Sequence, residues 1–135
     1  MPPIEITLLY SCLLAIFLII LSVRVIYLRG SPFTDFLRKK GETISQETLN
    51  RAVRGHGNLI EYAPLFLILM LVAELNHLSS AYLHFAGIAF LIGRLMHGIL
   101  FSFMKQRSMF MRVGGMVLTF LGYGIVVVIN LGSVF

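Results

Sequence analysis

The sequence predicts an all-α integral membrane protein, built as a bundle of four transmembrane helices. Of its 135 residues, 58% are hydrophobic and 13% are charged, whereas roughly a quarter of a typical soluble domain is charged. Four apolar stretches lie at about 4–28, 50–75, 79–102 and 109–131. At about 1.5 Å per residue, each can cross a hydrocarbon layer of ~30 Å. We therefore expect residues 1–135 to form a single transmembrane domain.

The first two stretches carry signals for their ends. The first has Glu5 at its start instead of a Lys or Arg, and its apolar run is too long for a signal peptide, so we interpret it as the first span. Gly30-Ser31-Pro32 ends that helix. Ser45, followed by Glu47 and Thr48, indicates that the second helix begins near Ser45.

The last three stretches are separated by short polar turns at 74–77 and 105–108. Connections this short force neighbouring helices to run antiparallel as a bundle. Small residues along the fourth stretch allow close helix approach, either within the chain or between subunits. These residues are Gly114, Gly115, Thr119, Gly122 and Gly124.

The basic residues predict an orientation in the membrane. All eleven Lys and Arg residues lie in or beside 24–54 and 94–112, and the opposite ends of the spans carry Glu5 and Glu74. The positive-inside rule then places loops 1 and 3 in the cytoplasm and both termini on the opposite side. The basic cluster 38–40 is expected to face anionic membrane lipid. This distribution explains the net charge of +5 without nucleic acid, which is not an expected partner.

A polar stripe runs along the start of the second span. At roughly 100° per residue, Arg54, Asn58 and Glu61 lie within about 60° of one another on a helix, with Arg51 close to the same stripe. Ionisable groups at membrane depth are costly and by default mark a functional site. We expect this stripe to point into the bundle or toward a neighbouring subunit.

The third span adds Arg94 and His97, three residues apart and near the same basic end. The depth of Arg94 is compatible with an ion pair to Glu61, which by itself would lock the bundle. Arginines outnumber acids in the whole set, however, and the excess positive charge indicates an anionic ligand. No Cys or His pair has metal-ligand spacing, so no metal is expected.

Two strings resemble the MAPEG family, the membrane-associated proteins in eicosanoid and glutathione metabolism, and its bacterial branch in particular. They are Arg51-x-x-Arg54-x-x-x-Asn58-x-x-Glu61-Tyr62-x-Pro64 and Gly93-Arg94-Leu95-Met96-His97. The resemblance implies a microsomal glutathione transferase-like homotrimer in a bacterial inner membrane. It also implies that glutathione, as co-substrate, binds between subunits near the cytoplasmic side.

The resemblance also assigns roles to residues. Glutathione would be held by Arg51, Arg54, Asn58, Glu61, Tyr62, Arg94, His97 and Arg29, with Arg24 as an alternative to Arg29. Arg112 would stabilise the glutathione thiolate, with Arg107 as its rival. The thiolate would attack a lipophilic electrophile that enters from the bilayer, or reduce a peroxide. Phe101 stands where eicosanoid-producing members carry a tyrosine, so a hydroxyl at that position is absent.

Two function classes compete with a detoxifying transferase. A non-catalytic member would keep the anion site and bind glutathione or an anionic lipid headgroup. A small proton-coupled cation exporter would need an acid in the first span. That span carries no acid after Glu5 and the predicted interior is net positive, which disfavours transport.

Overall fold

The computed structural model describes residues 4–39, 41–106 and 108–135 and confirms the all-α prediction. Four helices dominate, and each is long and apolar enough to cross a membrane. They are α1 (Glu5–Arg29), α2 (Gln46–Leu75), α3 (Ser80–Ser102) and α4 (Met109–Gly132). Helix α3 contacts each of the other three and packs mainly against α4.

Short polar residues set the helix ends. The Ser45 hydroxyl accepts a hydrogen bond from the Thr48 amide at the start of α2, as the sequence predicts, and Ser108 serves α4 in the same way. Gly30 ends α1 with φ +76°, a left-handed conformation that glycine adopts without strain. The sequence interpretation missed a 3-10 helix in loop 1, at Pro32–Leu37.

Small residues bring α3 and α4 together. A Cβ atom added at Gly93 would lie 2.7 Å from the Gly115 carbonyl oxygen, and one at Gly122 would lie 2.8 Å from the Ala86 carbonyl oxygen. Larger side chains at these positions would push the helices apart. Gly115 and Gly122 therefore serve packing within the subunit, whereas a Cβ at Gly124 would meet open space.

Aromatic rings fill the core between α2, α3 and α4. The Phe66 and Phe90 rings stack with centroids 3.9 Å apart, and Tyr123 meets both edge-on. The Tyr123 hydroxyl donates a hydrogen bond to the Tyr62 carbonyl oxygen. Because offset and edge-on aromatic pairs are favourable beyond the area they bury, this cluster fixes three helices relative to one another.

A carboxylate from α2 caps the first turn of α1. The amides of Ile6 and Thr7 donate to the two oxygens of Glu74, each at 2.7 Å. The residue that precedes α1, Ile4, has no side chain able to cap it. Glu74 thus satisfies two amides that would otherwise lack partners, and its negative charge lies at the positive end of the helix dipole.

We expect Glu74→Gln to lower the free energy of unfolding by about 1–3 kcal/mol, because one of two charge-assisted hydrogen bonds is lost and the other becomes neutral. Thermal unfolding in detergent, followed by circular dichroism, measures the change. Glu5→Gln is the matched control, since it removes an exposed carboxylate from the same helix turn. Equal shifts in melting temperature for the two variants would contradict the capping role.

Candidate functional site

A cavity of about 880 Å³ opens at the basic end of the bundle, where α2 begins, α3 ends and α4 begins. Its wall brings together five residues predicted from the sequence. Arg51, Arg54 and Asn58 come from α2, His97 from α3 and Arg112 from α4. The volume is within the range of small-molecule sites, roughly 300–1,000 Å³.

One side of the cavity is apolar. Leu100 and Phe101 at the end of α3 face Met109 and Met116 of α4. A mainly apolar wall with a few convergent polar groups is typical of a site for a small organic ligand. Methionine side chains are flexible, so this wall can adapt to ligands of different shape.

Arg51 is held in place by the end of α3. Its guanidinium donates to the carbonyl oxygens of Lys105, at 2.9 Å, and Leu100, at 3.0 Å. The Leu100 carbonyl lies in the last turn of α3, at the negative end of its dipole, where a cation is favourable, and Lys105 lies in the turn that follows. The α3 terminus therefore fixes Arg51 in the cavity wall.

Arg54 and Arg112 have donors to spare. Within the described residues, neither side chain makes a hydrogen bond or an ion pair. Among the described residues of the cavity wall, Glu47 is the one acid, against the three arginines Arg51, Arg54 and Arg112. The cavity is therefore positively charged, and two of its arginines are free to bind an anion.

Arg94 lies behind the cavity wall and is 1% exposed. Its Nε and Nη2 atoms donate to the Thr119 hydroxyl at 3.0 and 2.6 Å, and Nη1 donates to the Asn58 side-chain oxygen at 3.2 Å. The guanidinium also lies over the Tyr62 ring, 4.8 Å from its centroid. Arg94 thus orients Asn58, which does line the cavity.

The hypothetical ion pair between Arg94 and Glu61 is not formed in the part of the chain that the structure describes. The Arg94 donors go to Thr119 and Asn58, while Glu61 is exposed on the outside of α2. Asn58 is one turn closer to the basic end and meets the guanidinium first. The polar stripe therefore divides, with Asn58 turned toward α3 and Glu61 left outside.

Other predicted site residues lie outside the cavity wall. Tyr62 packs against Arg94, and its ring meets Phe120 edge-on. Arg29 is exposed at the end of α1. Arg107, the rival for the thiolate role, lies outside the described residues. Within the chain the structure thus groups Arg112, but not Arg29, with the α2 arginines.

His97 lies in the cavity wall and has one unpaired ring nitrogen among the described residues. Its Nε2 atom is 3.0 Å from the Arg112 carbonyl oxygen, so Nε2 carries the hydrogen and donates it. The Nδ1 atom is buried and has no hydrogen-bond partner among the described residues. The ring stands 5.6 Å from that of Phe101. Because Nδ1 is buried, it is not open to a ligand in the cavity, and the ring instead joins α3 to α4 through the Arg112 carbonyl oxygen.

Thr119 is a site residue that the sequence interpretation placed only among the small packing residues. Its hydroxyl accepts from Arg94 and donates to the Gly115 carbonyl oxygen at 2.7 Å. It is fully buried. The sequence did contain a signal for this contact. Thr119 is a hydroxyl residue in an apolar helix at the depth of Arg94, and a hydroxyl and a guanidinium both need polar partners away from water.

Comparisons with known proteins identify the family of the chain. The family model described as MAPEG family matches residues 7–132. Two curated relatives carry the name inner membrane protein YecN, from Escherichia coli strain K12 and from Escherichia coli O6:H1 strain CFT073. Each is 47% identical over 49 residues, or 36% of this chain and 37% of the relative.

The chain therefore spans little more than a third of the length of the curated relatives it matches. No solved structure matches. The family match, by contrast, runs through all four helices and includes every residue of the cavity wall described above. Together with the four membrane-spanning helices and their arginine-lined cavity, this match makes the chain a member of the MAPEG family.

Proposed function

We propose that this protein is a membrane-bound glutathione transferase that activates the glutathione thiol for attack on lipophilic electrophiles. The observation that carries the proposal is the charge of the cavity, with three arginines against one carboxylate. Membership in a family of glutathione and eicosanoid metabolism supplies the ligand class. Glutathione at neutral pH has two carboxylates and one ammonium, so it complements such a wall.

The described contacts support specific roles. Arg54 has free donors for a bidentate bond to a carboxylate. Asn58, fixed by Arg94, can bind the peptide backbone. Glu47 is the acid available to the ammonium within one subunit. Glu61 would reach the ligand only from a neighbouring subunit, because it lies outside the cavity of its own chain.

A homotrimer would explain the exposed charges of α2. Arg54 and Glu61 are exposed in the single subunit, although they lie on a membrane-spanning helix. A charged side chain facing lipid costs about 2.5–3.5 kcal/mol at the bilayer centre. Contact with a neighbouring subunit removes that cost, and the site between two subunits could then include Glu61 of one and Arg29 of the other.

Arg112 would supply the electrostatic part of the chemistry. Its cation favours thiolate over thiol, and the released proton passes to solvent. The sulfur electron pair then forms a bond to the electrophilic carbon, and a leaving group departs or the adduct is protonated. The same thiolate could reduce a hydroperoxide, with a second glutathione completing the disulfide.

The basic end of the bundle would face the cytoplasm, where glutathione is available. All the basic residues lie at this end, and the carboxylate that caps α1 lies at the other. The positive-inside rule supports this orientation, with both termini on the opposite side.

A non-catalytic relative that binds glutathione or an anionic lipid headgroup is the second candidate. Phe101 favours it, because this ring lines the cavity and offers no hydroxyl to a ligand. Such a protein would bind at the arginines without turnover. Binding and conjugation must therefore be measured separately.

Isothermal titration of the purified protein with glutathione tests the proposal. We expect saturable binding, and we expect Arg54→Ala to weaken it by about 10- to 100-fold, the effect of losing a charge-assisted hydrogen bond. Lys39→Ala is the control, since it removes a basic residue outside the cavity wall. Conjugation of a generic electrophile is assayed in parallel.

The outcomes separate the candidates. Binding with conjugation supports the transferase, and binding without conjugation of any electrophile supports the non-catalytic candidate. Absence of binding in the parent protein would refute both. Equal losses from Arg54→Ala and Lys39→Ala would show that general surface charge, and not the cavity, attracts glutathione.

A further inference from the structure

A second groove, of about 400 Å³, lies on the outer surface of the bundle beside the C-terminal half of α1. Its floor is the apolar face formed by Ile19, Ile20 and Val23, and its upper wall contains Arg24 and Phe103. It shares no lining residue with the arginine-rich cavity. The glutathione proposal does not use this groove.

Arg24 is held in a fixed orientation at the upper end of the groove. Its Nε atom donates to the Ser102 carbonyl oxygen at 3.2 Å. The guanidinium also lies 5.6 Å from the Tyr27 ring centroid and 5.5 Å from that of Phe103. The two terminal nitrogens make no hydrogen bond to the described residues. They are therefore available to an anion outside the protein.

The 3-10 helix of loop 1 marks the level of the membrane surface. Phe33 is 76% exposed, Phe36 80% and Leu37 53%. Such exposed aromatic and aliphatic side chains, flanked by Arg29, Arg38 and Lys39, are typical of a segment that lies in the interface. Leu37 also lines the groove, so the groove opens at this level. Arg24, five residues before the end of α1, lies about 7.5 Å further in.

The charges near the groove are mostly positive. Arg38 donates to the Tyr27 carbonyl oxygen, and Lys39 adds a second cation in loop 1. Asp35, in the 3-10 helix, and Glu42 are the opposing charges of loop 1, and Glu42 accepts a hydrogen bond from the Tyr27 hydroxyl at 2.6 Å. That bond lowers the pKa of the Glu42 carboxyl, which is therefore ionised at neutral pH. Arg24, Arg38 and Lys39 still outnumber these two acids.

We propose that this groove binds an anionic phospholipid, with the phosphate on the terminal nitrogens of Arg24 and one acyl chain along Ile19, Ile20 and Val23. An arginine fork matches phosphate geometry bidentately. The apolar floor is continuous with the lipid-facing side of α1. A zwitterionic lipid fits less well, because its own cation would face Arg24 and Arg38.

The chain contains no tryptophan, which permits a direct test. The Leu37→Trp variant places a single fluorophore in the groove wall. The full-length protein is reconstituted in phosphatidylcholine vesicles that contain a minor fraction of brominated lipid, either phosphatidylglycerol or phosphatidylcholine. Bromine quenches tryptophan on contact. We expect phosphatidylglycerol to be enriched about fivefold beside the probe, the effect of one basic contact at a membrane surface.

Two controls show whether the enrichment is specific to the groove and to Arg24. Leu13→Trp places the probe on an exposed part of α1 away from the basic residues, where quenching by the two lipids should be equal. In the Leu37→Trp background, Arg24→Gln should abolish the enrichment, whereas Lys105→Gln, which removes an equal charge outside the groove, should preserve it.

The proposal fails on any of three results. Equal quenching by the two lipids at the Leu37→Trp probe would exclude headgroup selectivity. The same enrichment at the Leu13→Trp probe would show a general preference of the protein for anionic lipid, and this comparison stands even if Arg24→Gln does not fold. Equal losses from Arg24→Gln and Lys105→Gln would assign the effect to surface charge.

Discussion

Arg112→Ala is expected to raise the thiol pKa of bound glutathione by about 2, which corresponds to ~2.7 kcal/mol of lost thiolate stabilisation. At neutral pH the thiolate fraction, and with it the rate of conjugation, should fall by up to roughly 100-fold, the limit for a parent thiol pKa above the assay pH. Because Arg112 lines the cavity and its guanidinium has no hydrogen-bond partner among the described residues, its charge is available to the sulfur. Titration of thiolate absorbance against pH in the protein–glutathione complex measures the shift.

Raising the pH should restore the thiolate in Arg112→Ala, since the lost charge changes the thiol pKa and not the nucleophile itself. Arg112→Lys keeps a cation and should retain most of the thiolate. An unchanged titration curve in Arg112→Ala, together with a raised pKa in Arg107→Ala, would transfer the role to Arg107.

Arg94→Met is expected to weaken glutathione binding at least about tenfold while leaving the bundle equally or more stable. A unit charge within roughly 10 Å of a ligand contributes ~1.7 kcal/mol at an effective dielectric constant near 20. Methionine is unbranched and replaces the apolar stem of arginine, and it removes the cost of burying a guanidinium whose residue is 1% exposed. Burying a charge is costly unless an opposite charge compensates it, and the Arg94 partners, Thr119 and Asn58, are neutral. Titration calorimetry and thermal unfolding in detergent measure the two effects.

Thr119→Val tests the same contact by removing the acceptor in place of the arginine. It keeps the side-chain shape but leaves Arg94 without the acceptor of two of its bonds, so it should destabilise the bundle by about 1–3 kcal/mol. If Arg94→Met were instead the more destabilising change, Arg94 would be a structural lock and not part of an anion site.

The four long helices could be predicted from the sequence because length and hydropathy are properties of each segment alone. Ser45 as the start of α2 follows from local side-chain chemistry in the same way. The direction in which the polar stripe of α2 points depends instead on how the helix packs. Asn58 and Glu61 are three residues apart on that stripe, yet Asn58 meets Arg94 and Glu61 faces outward.

Contacts between distant segments could not be predicted from the sequence either. The capping of α1 by Glu74 joins residues 68 positions apart, and no local pattern signals it. The 3-10 helix in loop 1 depends on Pro32 at its first position and on Ser31, whose hydroxyl accepts from the Phe33 amide. These residues indicate a turn in the sequence, and the turn could equally have ended after four residues.

The cap on α1 also bears on how the protein enters the membrane. When α1 is synthesised, Glu74 has not yet been translated, so the amides of Ile6 and Thr7 must remain in contact with water or with the insertion machinery. They gain their permanent acceptor only when the end of α2 reaches the same side of the bilayer. The α1–α2 hairpin, and not α1 alone, is therefore the smallest unit that can leave the insertion machinery with its first turn complete.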